Sequence, residues 1–220
     1  MLIAIAVFPG FTALDAVGPY QVFRYLGGAD VVVCAQRAGV VPDGSETLRL
    51  DVVHTFDEVA RPDVVVVPGG QVVHRMIRDG TSIIEWIRDM RGVATYTTSV
   101  CTGSLLLGAA GILDGLPATT HWAYYDELAA FGASPTEERV VEAGQIFTAA
   151  GVSAGIDLAL LLVARLAGDV VAQAIQLGIE YDPKPPFDSG APSKAPADIR
   201  ELAQATLYES RARALSHRNP

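Results

Sequence analysis

Cysteine is nearly absent: Cys34 and Cys101 are the two thiols in 220 residues. Two cysteines cannot build the disulfide framework of a small secreted domain, so a reducing compartment is expected. Basic charge is also short, with 16 Lys and Arg against 25 Asp and Glu, a formal net charge of −9. That field repels phosphate backbones and excludes nucleic acid as an expected partner. Long apolar runs are missing. The longest, Ile156 to Ala167, is interrupted by Asp157 and Arg165 and is shorter than the ~20 residues a membrane span needs. The segment Met1 to Phe8 has no basic region and no cleavage signal, so it reads as a first strand and the expected location is the cytoplasm. Neither Gly-rich phosphate fingerprint occurs, and no His, Cys, Asp or Glu spacing suits a metal; neither nucleotide binding nor metal catalysis is expected.

What is present is apolar. Half the residues are hydrophobic and 19% are charged, enough for one sizeable core, and the whole chain, 1–220, reads as one domain. β-Branched runs at Leu2–Phe8, Val31–Ala35, Val64–Val67 and Val93–Thr98 are continuously apolar rather than alternating, the pattern of strands buried on both faces. Helix-like segments at Gly18–Leu26, Val72–Arg78 and Ser82–Arg91 separate them, which predicts an α/β, doubly wound, mostly parallel sheet. Val140–Thr148 reads as a hairpin, and Ser153 as the N-cap of an apolar helix reaching about Leu166. A second helix is predicted from about Asp169 to Tyr181. Asp182–Pro196 holds five prolines and reads as an extended loop before a last helix from about Ala197 to Leu215.

The chemistry concentrates at Ala94–Gly108, where a β-branched strand meets a small-residue turn and then an apolar helix. Cys101 falls on that turn, the position of a nucleophile elbow, at the carboxyl edge of the sheet. A helix N-terminus there favours a thiolate. The alternative reading is a small buried hydrophobe, as Cys34 inside its strand is expected to be. Thr102 offers a hydroxyl and an N–H beside the thiol, or is an ordinary first-turn residue. Gly69 and Gly70 after Pro68 are candidate backbone donors for developing charge, or a plain turn. Asp15 reads as an N-cap or, because the loop after strand one ends on the same sheet edge, as an acid/base raised in pKa beside the thiolate. His121 is either a base for Cys101 or a pocket or subunit contact.

Asp15 in Leu-Asp-x-x-Gly-Pro, Pro68-Gly69-Gly70 and Ser99-Val100-Cys101-Thr102-Gly103 together resemble the ThiJ/PfpI superfamily. Val100–Ser104, Ala118–Trp122, Gly155-Ile156-Asp157 and Tyr181–Phe187 resemble its isocyanide hydratase branch. The resemblance implies a flavodoxin-like sandwich of the class I glutamine amidotransferase type, a homodimer and no cofactor. It also implies a lyase in which Cys101 attacks an isocyanide to give a thioimidate, with Asp15 as acid/base and Thr102 and Gly70 orienting the reacting groups. Peptidase-like relatives carry histidine where Thr102 stands, and chaperone and deglycase relatives carry glutamate where Asp15 stands. Ala149-Ala150 replaces glycines common in the family. A glyoxalase or deglycase activity, or a cysteine redox or ligand sensor, are the alternatives.

Overall fold

The computed structural model describes residues 1–216. Strand β1 (Leu2–Ala6) leads into α1 (Ala13–Phe23) and β2 (Asp30–Ala35). An antiparallel pair, β3 (Gly39–Pro42) with β4 (Arg49–Val52), and the short β5 (His54–Thr55) precede β6 (Val64–Val67). Then come α2 (Val73–Asp79), α3 (Ser82–Asp89), β7 (Tyr96–Val100) and α4 (Gly103–Ala109). Short β8 (Pro117–Ala118), a 3-10 turn at Trp122–Tyr124, α5 (Tyr125–Ala129) and β9 (Ser134–Pro135) lead to the hairpin β10 (Val140–Ala143) and β11 (Ile146–Ala149). Three helices follow: α6 (Ala154–Ala167), α7 (Asp169–Gly178) and α8 (Ala197–Ser216).

The central sheet has seven strands in the order β10-β11-β7-β6-β1-β2-β5. Every neighbouring pair is parallel except β10 with β11. All four valines of β6 are fully buried, because α1 and α6 cover one face of the sheet while α2, α3 and α4 pack as a second group against the other. That is why the strands read as unbroken apolar runs. Strand β1 pairs with β2 on one side and with β6 on the other, so strands are laid down outward from β1 in both directions and the switch point falls between β1 and β6. The loops leaving β1, β6 and β7 therefore open at one carboxyl edge, the place where doubly wound sheets bind ligands.

The helix boundaries differ from expectation at two informative places. Helix α1 begins at Ala13, well before Gly18, with Thr12 as N-cap; Asp15 lies inside its first turn and is not the cap. Gly18-Pro19 looks like a breaker, yet Pro19 sits within the helix. A β-carbon on Gly155 would stand 3.2 Å from Pro19 Cγ, so glycine and proline let α1 and α6 approach closely. Ser153 does occupy the N-cap position of α6, but its side chain makes no cap bond. Helix α7 ends at Gly178, short of Tyr181. Residues 182–196 hold no helix or strand, as the prolines require.

Candidate active site

Cys101 has φ 58, a left-handed conformation that costs a side-chain-bearing residue roughly 1–2 kcal/mol. Its own backbone bonds offset that strain. The Cys101 N–H donates to both Ala149 O and Ala150 O at 3.0 Å, and its carbonyl accepts from Ser104 Oγ and Thr120 Oγ1, each at 3.1 Å. Neither hydroxyl was singled out from the sequence, although Ser104 stands in the elbow itself. A β-carbon on Gly103 would fall 2.1 Å from Val67 O. Only glycine lets α4 start this close to the end of β6.

The structure brings Asp15, Gly69, Gly70, Cys101 and Thr102 together. Asp15 is fully buried, and its Oδ2 accepts the Gly69 N–H at 2.9 Å. Oδ1 is buried without a hydrogen-bond partner. Thr102 Oγ1 accepts the Gly70 N–H at 3.0 Å and lies 3.3 Å from Gly70 O, to which it can donate. Gly69 and Gly70, read as candidate backbone donors or a plain turn, have both amides engaged in holding Asp15 and Thr102. A β-carbon on Gly69 would come within 2.6 Å of Thr102 N and 3.0 Å of Asp15 Oδ2, so glycine is required for the two side chains to meet over it.

Burial pushes the Asp15 carboxyl up to about 7, against the pull of the Gly69 amide and the adjacent Cys101 side chain. The expected cause was like charge from a thiolate; desolvation is the larger one. Burial first and the Asp15 charge second also push the Cys101 thiol well above its ordinary range. Burial thus opposes the thiolate that the elbow and the start of α4 led one to expect. Two amides do favour the thiolate, those of Thr102 and Val152, together with the Thr102 hydroxyl. Val152 left no mark in the sequence, because a backbone donor has no side-chain signature.

His121 is not joined to Cys101 by a hydrogen bond. Its Nδ1 accepts from Ala123 N at 3.3 Å, and burial lowers its pKa to about 4, so the ring is neutral. A β-carbon on Gly151 would lie 2.9 Å from its Cδ2, which makes His121 a wall of the segment 149–152 and leaves Asp15 as the titratable partner of the thiol. His74 pairs with Glu127, and its ring lies tilted against that of Tyr124. No cluster suited to a metal occurs among the described residues. Cys34 is buried near Ile5 O, with burial raising its thiol to about 12, in keeping with core packing.

The mostly parallel sheet between two helical layers, with a cysteine on a strained strand-to-helix turn and a buried carboxyl at its switch point, defines a flavodoxin-like α/β protein of the class I glutamine amidotransferase-like fold. The chain belongs to the DJ-1/PfpI family, whose model matches residues 1–165. It is 46% identical over 203 residues to the isonitrile hydratase of Pseudomonas putida, covering 92% of this chain and 88% of that protein. A solved structure of a ThiJ/PfpI family protein from Pseudomonas syringae superposes with a TM-score of 0.90 at 39% identity, covering 97% of this chain and 88% of that one. Drosophila melanogaster DJ-1beta shares the fold at a TM-score of 0.74 and 20% identity, covering 81% and 97% of the two chains.

Proposed function

We propose that this protein is an isocyanide hydratase, converting an isocyanide and water to an N-substituted formamide. The observation that carries the reading is the partner of Cys101: a buried carboxyl holding a proton near pH 7, where a hydrolase would place an imidazole. The terminal carbon of an isocyanide needs both a nucleophile and a proton. Cys101 and Asp15 share one proton: as Cys101 Sγ forms the bond to that carbon, Asp15 delivers this proton to it and is left as a carboxylate. The product is a thioimidate, R–N=CH–S–Cys101. The Asp15 carboxylate then accepts a proton from water as the oxygen adds to the same carbon, and passes it to nitrogen. The C–S bond breaks as the new hydroxyl returns its proton to the Cys101–Asp15 pair, which releases R–NH–CHO. The chemistry is that of a lyase and draws on no cofactor. The Thr102 and Val152 amides stabilise sulfur as it gains charge, and the similarity to the isonitrile hydratase of Pseudomonas putida supports the substrate class.

Incubating purified protein with an alkyl isocyanide and measuring formamide tests this. Wild type is expected to turn over, and Cys101→Ala to lose at least the ~10³-fold expected when a covalent nucleophile is removed. Equal rates in the two proteins overturn the mechanism. Lactate from methylglyoxal, with no formamide, would assign the site to a glyoxalase instead. An oxidisable Cys101 with neither product would make the chain a sensor. The apolar residues Leu14 and Val17 stand exposed on α1, which favours a homodimer; sedimentation velocity reads its mass directly.

A further inference from the structure

Beside Cys101 runs a short turn, 150–153, whose Val152 amide favours the charged sulfur, and one residue outside the site, Arg139, holds both of its ends, the first by its backbone carbonyl and the second by its side chain. Ala150 N donates to Arg139 O at 2.9 Å. From the same residue, Nη2 donates to Ser153 Oγ at 3.2 Å. The guanidinium is anchored in turn on α6: Nε lies 2.8 Å and Nη2 2.7 Å from Asp157 Oδ2, and Tyr181 OH donates to that oxygen at 3.1 Å. Val152 stands between the two held ends.

We propose that Arg139 is a positioning residue for the Cys101 site, fixing the turn 150–153 so that the Val152 N–H stays aimed at the sulfur. The inference rests on the reading of Cys101 as the nucleophile. The unused cap at α6 supports it. Serine at an N-cap normally accepts from an amide of its own helix, whereas Ser153 makes no such bond and its oxygen takes the Arg139 donor. The segment is pinned on its inner side as well, since Ala149 O and Ala150 O share the Cys101 N–H. The turn is therefore held between the nucleophile's backbone and Arg139, whose carbonyl takes the Ala150 N–H and whose guanidinium takes Ser153 Oγ. Arginine suits the task because its planar fork reaches Ser153 and Asp157 together, which a lysine ammonium, a single point charge, does less well. The motifs Gly155-Ile156-Asp157 and Tyr181-Asp182-Pro183 thereby gain a shared role: Asp157 and Tyr181 orient the fork. Asp15 is the charged group facing the sulfur itself, and it is untouched by this network.

The test reads the thiol directly. The pH profile of Cys101 alkylation by iodoacetamide is measured on the Cys101 peptide by mass spectrometry, alongside thermal melting, in wild type, Arg139→Gln, Arg139→Lys and Ser153→Ala. Losing one aligned donor to a charged sulfur is expected to move the midpoint of Arg139→Gln upward and slow alkylation roughly tenfold at a fixed pH below it. Arg139→Lys recovers part of the loss. A lower melting temperature with an unmoved midpoint would mean a purely structural role and overturns the proposal. If Arg139→Gln does not fold, Ser153→Ala decides: a midpoint shifted upward supports positioning, and an unchanged one refutes it. Isocyanide turnover is measured separately, so its absence in wild type would fail the proposed activity while the alkylation profile still judges Arg139.

Discussion

At the scale of single residues, Asp15 sets the behaviour of the site and also weakens the fold. Its proton affinity is raised in the folded state, from 3.8 to about 7, so between those values the native protein binds more protons than the unfolded chain. Stability therefore falls as pH rises through that window, and the loss is complete above it. Asp15→Asn keeps an acceptor for the Gly69 amide and removes the buried charge. It is expected to be more stable than wild type at pH 8 by on the order of a few kcal/mol, with the advantage vanishing below about pH 4. Urea unfolding at the two pH values checks this; an equal difference at both would show that the carboxyl is not the cause. Cys101 was legible in the sequence because strand, small residues and apolar helix meet there. The proposed acid/base partner was less so: Asp15, shortly before Gly18-Pro19, imitates a cap, and His121, a more familiar partner for cysteine, turns away to Ala123.

Among the elements, the strands were the most legible, since burial on both faces writes itself as runs such as Val64–Val67. Helix α1 was misplaced at its start because Pro19 is tolerated inside it, its missing N–H being one local loss against close packing on α6. The bonds of Arg139 to a turn and a helix remote in sequence have no periodic signature at all. The prolines of 182–196, by contrast, announced an open segment. Phe187 is 78% exposed there, and the Lys194 side chain makes an exposed ion pair to Asp188 at 2.9 Å, a contact worth little in water. Trypsin is expected to cut first after Lys194, because Lys184 precedes Pro185 and the helices shield their own bonds. A first fragment ending at residue 194, read by mass spectrometry, bears this out; protection of that bond would mean the loop is covered.

Across the whole molecule, the sheet ends in short edges, β5 at one side and the antiparallel β10 at the other, which leaves little unpaired backbone to template association. No described helix is long and apolar enough to cross a membrane. The parallel order has a consequence in time. Asp15 meets the Gly69 amide across 54 residues of chain, and Thr102 meets Gly70 across 32, so each contact waits for a separate crossover to close. Non-local closures of this kind form late and slowly. During refolding from urea, helical circular dichroism is expected to return before formamide production does, and simultaneous recovery would show that the sheet assembles in one step. Catalytic competence then serves as the last clock hand of folding: a chain that has collapsed and regained its helices is still chemically silent until the loops after β1, β6 and β7 have all arrived.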